Sequence, residues 1–372
     1  MKVAFLCSNL GFGGIQRVSV TLANHLARRT DMDVDLVVLR GRGEFLPLVS
    51  TSVRVIDLNC TSQPLALLSP FSPLLRYLAT ERPDTVLSFG NSTNNLAAWA
   101  KLRLRKAFRL IVSEHSTFGV RMAGDAAFHR WRRTVRSRFL YRQAERCICV
   151  SQGVADDLVE QGVVPRGKTK VIYNPIVDES LAEMASRPVE HPWFADGMPP
   201  VILAVGRLVR LKGFDDLIRA FALLREKWKT EAHLAILGEG PERERLESLA
   251  NSCGVSDEVW LPGFRENPYS YMGRSAVVAL TSHYEGLPTV LPEALACGTN
   301  VVSTDCRSGP REILEDGKWG RLVEVGDCLA LARALHDTIA EPHSAMELQK
   351  ASERFSAERA AESYYRVLTG KK

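Results

Sequence analysis

The sequence predicts an α/β protein made of two doubly wound units, each a parallel sheet covered by helices. Short apolar runs rich in β-branched residues alternate along the chain with segments of helical periodicity. The first run leads into a glycine-rich turn that opens a helix, which is how a doubly wound unit begins. The alternation restarts after an irregular, proline-rich stretch in mid-chain, so we expect a second unit there.

Length and composition indicate a globular protein of a reducing compartment. The 372 residues are enough for two domains with separate cores, and 45% of them are hydrophobic against 24% charged. No apolar run approaches the roughly 20 residues that span a bilayer, and the short apolar start fits a first strand better than a signal peptide. The eight cysteines stand without paired spacing, which is typical of the cytoplasm.

The chain opens with an apolar run over residues 2–8, then Gly11, Gly13 and Gly14, then a helical pattern over 15–28. The turn lacks the G-x-G-x-x-G spacing of a nicotinamide-binding loop. A Gly13-Gly14 turn before a helix can still bring backbone N–H groups against a phosphate. It fits a bare strand–helix connection equally well.

Three aspartates, Asp31, Asp33 and Asp35, alternate at the entry to the second predicted strand. The Asp-x-Asp spacing is superficially that of the metal ligands in some sugar-nucleotide enzymes. The three stand far from any glycine-rich phosphate loop, so we interpret them as a solvated strand start. We predict no metal site.

Further strands of this half are predicted at 53–58, 85–89, 109–113, 146–150 and 170–173. Functional groups in parallel sheets gather beyond the carboxyl ends of the strands. His115 follows one such end and can donate to a sugar hydroxyl, although a structural loop histidine is the alternative. The segments 91–95 and 116–127 are expected to form loops that help to select substrates.

The N-terminal half is strongly basic. Residues 1–175 hold 25 lysines and arginines against 13 aspartates and glutamates, whereas the rest of the chain holds 23 against 30. One segment, Phe128–Arg146, carries seven arginines against one glutamate, and a second basic cluster spans 101–109. The apolar residues of Phe128–Arg146 recur at helical spacing: Trp131, Val135, Phe139 and Leu140.

A basic amphipathic helix with aromatic residues fits an anionic membrane surface, so Phe128–Arg146 is our candidate for membrane contact. The alternative is a core helix with a solvated cationic face. No recognised nucleic-acid-binding module accompanies the charge, and we expect no nucleic-acid partner.

The second half begins after an irregular stretch at 174–200 that contains five prolines. A fresh strand starts at Val201 and leads to Gly206 and Arg207, and Lys212 follows five residues later. Two cations at this spacing beside a glycine are suited to a diphosphate.

The stretch His283–Leu314 organises the second half. Glu285 and Glu293 stand eight positions apart around a Gly-Leu-Pro turn, and a second turn, Ser308-Gly309-Pro310, opens another helix. Helix starts favour anions, phosphates above all, and carboxylates accept hydrogen bonds from sugar hydroxyls. The spacing predicts a site for a phosphorylated sugar.

With these residues in view, the chain resembles the retaining GT-B glycosyltransferases of family 4 (group 1). The Glu-seven-residues-Glu motif of Glu285 and Glu293 is the most specific match. The other matching segments come in the family's order and span both halves: GGIQR, VGRLVRLKGFDDLIRAF, ILGEGPERERL, LPGF and the residues around the two glutamates.

The resemblance implies two Rossmann-like domains that face a cleft. Residues 1–174 form the acceptor- and membrane-facing domain, and residues 175–355 form the donor-binding domain. Residues 356–372 form a C-terminal helix that packs back on the first domain through Tyr364, Tyr365 and Leu368.

The resemblance also implies roles on the donor side. Arg207 and Lys212, with Gly206 beside them, hold the donor diphosphate. Glu293 accepts hydrogen bonds from the ribose hydroxyls, and Glu285 contacts the donor sugar. The turn of Gly286, Leu287, Pro288 and Thr289 places backbone N–H groups around the sugar and phosphate, although Pro288 itself has none.

Three further positions complete the implied site. Gly13 and Gly14 form the loop that closes over the diphosphate. His115 matches the family's strand-end histidine near the sugar, and Phe264 lies where the base is held.

These inferences predict a retaining, metal-independent transferase that needs no cofactor. The donor is a nucleotide-diphosphate sugar, with UDP favoured, and the acceptor is a glycan or a polyprenyl-diphosphate-linked glycan. The predicted location is cytoplasmic, at the inner face of the plasma membrane, in cell-surface polysaccharide or lipopolysaccharide synthesis. Two alternatives stay open: a soluble GT-B transferase acting on a small sugar, and a non-catalytic sugar-nucleotide-binding protein.

Overall fold

A computed structural model describes the chain over residues 1–11, 13–60, 71–105, 108–119 and 126–371. The basic residue Lys106 and positions 120–125 of the predicted loop at 116–127 lie outside the described residues. Contacts divide the chain into two compact units. Unit 1 comprises Met1–Pro175 and Ala357–Lys372, and unit 2 comprises Ile176–Ser356.

Parallel strands form the framework of each unit. In chain order they are β1 (Lys2–Cys7), β2 (Asp33–Val38), β3 (Arg54–Asp57), β4 (Thr85–Phe89), β5 (Arg109–Glu114), β6 (Arg146–Cys149), β7 (Thr169–Val171), β8 (Val201–Val205), β9 (His233–Leu237), β10 (Val259–Gly263), β11 (Val277–Leu280), β12 (Asn300–Thr304) and β13 (Arg321–Val323).

Helices alternate with these strands. They are α1 (Gly14–Ala27), α2 (Phe71–Glu81), α3 (Asn91–Leu104), α4 (Ala127–Tyr141), α5 (Gln152–Glu160), α6 (Glu179–Ser186), α7 (Phe214–Trp228), α8 (Arg243–Ser252), α9 (Pro268–Met272), α10 (Val290–Ala296), α11 (Pro310–Ile313), α12 (Cys328–Ala340), α13 (Ala345–Ser352) and α14 (Ala357–Thr369). Among the described residues, none of these helices combines the length and apolar character needed to cross a bilayer.

Both sheets are doubly wound, which confirms the predicted fold class. The strand order is β3-β2-β1-β4-β5-β6-β7 in unit 1 and β10-β9-β8-β11-β12-β13 in unit 2. Every pairing is parallel in the described residues. Strand β13 has no counterpart in the sequence analysis, because three residues with only two apolar side chains give no periodic signal.

The segment 91–95 forms the first turn of α3, so its prediction as a loop was wrong. Gly90 has φ of +86°, a conformation that suits glycine, and it turns the chain directly from β4 into the helix. The N–H of Asn94 then donates to the carbonyl of Gly90 at 2.9 Å and closes the first turn. A connection this short leaves no room for a loop.

Asp35 also differs from the prediction. Asp31 and Asp33 are exposed as expected, but the side chain of Asp35 is fully buried. Arg54 donates two hydrogen bonds to its carboxylate, at 2.8 and 2.7 Å, and the Tyr77 hydroxyl donates a third at 2.6 Å. Burial alone would raise the pKa of Asp35, but these hydrogen bonds lower it below its usual value.

The core of unit 1 includes the last helix of the chain. Tyr364, Tyr365 and Leu368 of α14 are buried in the same cluster as the strand residues Phe5 and Leu87. At the end of α14, Arg109 donates to the carbonyls of Val367 and Leu368, as cations often do at helix C-termini. The core of unit 2 is a separate cluster, formed between the sheet and helices α7 and α12.

Helix α4 has two unlike faces. Leu140 and Tyr141 are buried, whereas four apolar side chains point to solvent. These exposed residues are Phe128, Trp131, Val135 and Phe139. Grouping Leu140 with them was wrong, because residue 140 anchors the inner face of the helix.

Candidate active site

In unit 2, a glycine brings the predicted cations close to the loop after β11. Strand β8 leads to Gly206 and Arg207, and a single 3₁₀ turn, Arg210–Lys212, follows. Gly213 ends this turn with φ of +61°. A Cβ atom at Gly213 would lie 2.1 Å from the carbonyl oxygen of Thr281, so the approach requires glycine.

Hydrogen bonds then hold the 3₁₀ turn to the loop. The hydroxyl of Thr281 donates to the carbonyl of Lys212 at 2.9 Å, and the N–H of His283 donates to the carbonyl of Leu211 at 2.9 Å. The Nε2 atom of His283 lies 3.0 Å from Oδ2 of Asp216 in the first turn of α7. The backbone positions on both sides of the site are therefore fixed by groups outside it.

The pairing of Lys212 with Glu285 is the central contact. Nζ of Lys212 lies 2.7 Å from Oε1 of Glu285, and the Ser282 hydroxyl donates to the same oxygen at 2.7 Å. Both side chains are partly buried. An ammonium has three N–H donors and a carboxylate has two oxygens, so each group retains capacity to bind a ligand.

The two turns of the His283–Leu314 stretch pack against each other. The N–H of Glu285 donates to the Arg307 carbonyl at 3.0 Å, and the N–H of Ser308 donates to the Glu285 carbonyl at 2.9 Å. The Ser308 hydroxyl also donates to the carbonyl of Gly286 at 3.0 Å. These bonds fix the turn that contains Gly286, Leu287, Pro288 and Thr289.

The helices after these turns are short. Helix α10 has seven residues and α11 has four. The helix dipole is a sum over aligned peptide units, so such short helices contribute less positive potential. The full charges of Lys212 and Arg207 therefore matter more to an anion than these helix starts do.

The other predicted residues of unit 2 are in different surroundings. Glu293, on α10, is 9% exposed and its Oε1 lies 3.5 Å from the hydroxyl of Tyr269, a residue that the sequence analysis missed. Arg207 is exposed and its side chain makes no ion pair or hydrogen bond with another described residue. Phe264 follows β10 and is also exposed.

In unit 1, Gly13 and Gly14 lie at the start of α1. Gly13 is extended, and the helix begins at Gly14. A Cβ atom at Gly14 would meet nothing within 4 Å. A Cβ atom at Gly13 would lie 2.4 Å from Oε1 of Gln16, so only Gly14 borders open space. The function of both glycines stays a prediction.

His115 lies just beyond β5 and is half-buried. Its Nε2 atom is 3.0 Å from the Ser113 hydroxyl, which lies 3.3 Å from the hydroxyl of Tyr364 on α14. Burial lowers the pKa of His115 to about 4, so the imidazole is neutral at pH 7. Ser113 and Tyr364 were missed as neighbours of this site, because their proximity depends on where α14 packs.

Family models match both halves of the chain. The model for group 1 glycosyl transferases covers residues 190–355, and the model for glycosyltransferase family 4 covers residues 12–180. The chain therefore belongs to the family 4 (group 1) glycosyltransferases.

Individual relatives agree with this membership. A Campylobacter jejuni 4-α-N-acetylgalactosaminyltransferase that acts on a diphospho-undecaprenol-linked glycan is 31% identical, over 87% of this chain and 86% of its own. The lipopolysaccharide core biosynthesis glycosyltransferase LpsE of Rhizobium meliloti is 27% identical over 96% of both chains.

Solved structures share the fold. The lipopolysaccharide outer core galactosyltransferase WaaB superposes with a TM-score of 0.78 at 20% identity, covering 100% of both chains. The Anabaena protein HepE, solved in complex with UDP, gives a TM-score of 0.80 at 23% identity and also covers 100% of both chains. These likenesses confirm the GT-B architecture.

Proposed function

We propose that this protein transfers a sugar, with retention of configuration, from a UDP-sugar to a polyprenyl-diphosphate-linked glycan at the inner face of the cytoplasmic membrane. The Lys212–Glu285 pair is the observation that carries the proposal. It places a cation for a diphosphate and a carboxylate for a sugar side by side. The donor is inferred from the UDP complex of HepE, and the acceptor from the Campylobacter relative.

In this proposal, Lys212 and Arg207 stabilise the negative charge of the departing diphosphate. The bond between the anomeric carbon and the phosphate oxygen breaks, and negative charge grows on that oxygen. The acceptor hydroxyl forms the new bond from the same face, and its proton passes to the departing phosphate oxygen. Fixed cations that face developing charge are the largest single source of rate enhancement in such reactions.

Two cations fixed near the phosphates can replace the charge of a divalent ion, so we propose that the reaction is metal-independent. Among the described residues, no group of three or more His, Cys, Asp or Glu side chains is arranged to hold a metal. Excess EDTA should leave the transfer rate unchanged. A rate that falls with EDTA and returns with Mg²⁺ or Mn²⁺ would contradict this part.

The decisive experiment compares Lys212→Ala with Arg210→Ala. Arg210 is in the same 3₁₀ turn, but its side chain is mostly solvent-exposed and its recorded ion pair, to Glu242, is 3.6 Å long. With a screened UDP-sugar, we expect Lys212→Ala to lose at least 100-fold in kcat, on the scale of a lost oxyanion donor. Arg210→Ala should stay within twofold of the wild type.

Arg207→Ala should also lose turnover, because the Arg207 guanidinium, which has no ion-pair partner among the described residues, is the second cation of the proposed diphosphate site. Circular dichroism checks that each variant is folded. Near-normal rates in both Lys212→Ala and Arg207→Ala would overturn the proposed site.

The solvent-facing side of α4 supports the membrane part of the proposal. Phe128 and Trp131 are 63% and 59% exposed, and their rings stack at 6.1 Å. Trp99 of α3 extends this apolar surface, with its ring 6.3 Å from that of Phe139. Exposed arginines flank these rings along α4, which suits an anionic bilayer surface.

Vesicle co-sedimentation tests this surface. Trp131→Ser should weaken binding to vesicles containing anionic lipid by about tenfold, since burying a large apolar side chain contributes about 1.5–3 kcal/mol. Leu48→Ser is the matched control, because Leu48 is equally exposed but lies outside α3 and α4. Absence of wild-type binding at low salt would favour a soluble transferase that acts on a small acceptor.

A further inference from the structure

Three side chains of unit 1 form a hydrogen-bonded row that ends at His115. The row runs from the hydroxyl of Tyr364 to that of Ser113 at 3.3 Å, and from there to Nε2 of His115 at 3.0 Å. Ser113 and Tyr364 are fully buried. Within the described part of the chain, none of the three side chains has any other hydrogen bond.

Three arrangements of protons are compatible with this row, because a hydroxyl oxygen can accept two hydrogen bonds. In the first, Tyr364 donates to Ser113, and Ser113 donates to Nε2 of His115. In the second, Nε2 carries a proton and donates to Ser113, which then donates to Tyr364. The neutral imidazole has one N–H, so the first arrangement places it on Nδ1.

In the third, Tyr364 and Nε2 both donate to Ser113, whose own O–H is then buried without an acceptor among the described residues. Counting donors separates the three arrangements. In the second, the O–H of Tyr364 is buried without an acceptor among the described residues, and a buried unsatisfied donor is costly. In the first, every hydroxyl proton of the row has an acceptor. The first arrangement is therefore the stable one.

We infer that Ser113, whose oxygen accepts a hydrogen bond from Tyr364, holds His115 as the Nδ1–H tautomer, so that the imidazole offers an N–H donor from the nitrogen that faces away from Ser113. Free histidine favours the other tautomer, and the hydrogen bond made at one ring nitrogen determines which nitrogen is protonated. Ser113 is a positioning residue that acts through His115. That the Nδ1–H of His115 donates to the donor sugar rests on the proposed function.

The tautomer can be measured directly. In ¹⁵N-histidine-labelled full-length protein, His115 is assigned by the signals that His115→Asn removes. We expect the wild-type signals to show protonated Nδ1 and unprotonated Nε2. Ser113→Ala should move the population toward Nε2–H, because it removes the donor that occupies Nε2. Tyr364→Phe should leave Nδ1 protonated, because the Ser113 hydroxyl still has Nε2 as its acceptor.

Tyr365→Phe is the matched control. It removes a hydroxyl from the next residue of α14, one that contacts Asp31 and Lys371 and makes no contact with Ser113. The tautomer of His115 should be unchanged in this variant. A wild-type protein with Nε2 protonated, or a Ser113→Ala variant with an unchanged tautomer, would overturn the inference.

Kinetics link the tautomer to the reaction. With an active sugar nucleotide, kcat/KM should fall about tenfold in Ser113→Ala, the scale of one lost hydrogen bond, and stay unchanged in Tyr365→Phe. Unchanged kcat/KM in Ser113→Ala would overturn the positioning role. If the wild type turns over no sugar nucleotide, the proposed function fails, while the NMR result still decides the tautomer.

Discussion

At the scale of single residues, the close ion pair between Lys212 and Glu285 is not expected to contribute much to the free energy of unfolding. Both side chains keep partial contact with solvent, and such pairs contribute about 1 kcal/mol or less to folding. Three separate hydrogen bonds nevertheless fix the backbone on either side of the pair. Backbone held in place on both sides is what we expect of an ion pair that binds a ligand.

His115 gives a prediction about pH. Its pKa is about 4 in the folded protein and about 6.5 when the chain is unfolded, so the unfolded state binds more protons between these values. The stability of the folded state should therefore fall as the pH drops from about 6.5 toward 4. We expect His115→Gln to flatten this part of the curve in urea unfolding measured at several pH values.

The comparison must be with another histidine variant, because His191 and His233 also have lowered pKa values that contribute to the wild-type curve. His129→Gln serves, since His129 is exposed on α4. If the pH dependence of His115→Gln matches that of His129→Gln, the folded-state pKa of His115 is not depressed.

At the scale of elements, α14 links the end of the chain to the first sheet. The buried face of α14 packs in the same cluster as the strand residues of unit 1. The hydroxyl of Tyr364 on the same helix contacts Ser113, the neighbour of His115. Packing and site geometry thus depend on the same helix. A change in its docking should affect both.

Leu368→Ala tests the packing part alone. Leu368 is fully buried, and removing a buried leucine side chain costs about 3 kcal/mol through lost burial and the cavity left behind. We expect a lower urea midpoint for unit 1. Arg366→Ala, on the exposed side of the same helix, should change the midpoint little, because it loses only an exposed pair with Glu362. Equal effects of the two variants would show that α14 is not docked as described.

At the scale of the whole molecule, the two hydrophobic clusters are separate, so a defect in one unit can be measured against the other. Hydrogen exchange reports local opening strand by strand. The buried Asp35 network is a suitable place for such a defect, because it joins β2 to β3 and α2 within unit 1.

We predict that Asp35→Asn destabilises unit 1 by about 3 kcal/mol, the scale of a broken buried ion pair. Exchange at the amides of β1 to β3 should accelerate by about 100-fold, while β8 and β9 exchange as in the wild type. Asp33→Asn, exposed and two residues away on the same strand, is the control. Acceleration in both units, or none, would contradict independent cores.

Sequence periodicity predicted the α/β alternation and the boundary between the two halves, because it reports which side chains a local segment buries. Turn chemistry predicted the positions of the turn after Glu285 and of the Ser308 turn. Strands, helices and turns depend on residues that are close together in the sequence, so a local pattern predicts them. The motif residues of unit 2 could be found because they too stand close together in the sequence.

Partners that are distant in sequence were decided only by the tertiary structure. Lys212 pairs with Glu285 across 73 positions, and Ser113 meets Tyr364 across 251. Asp35 looked solvated because nothing near it in sequence shows that Arg54 and Tyr77 will cover it. Leu140 looked like part of the exposed surface because periodicity gives a helix face without saying which neighbour covers it. The sequence alone determined the elements and their chemistry, whereas strand order and helix docking, which bring remote residues together, determined the contacts that make a site.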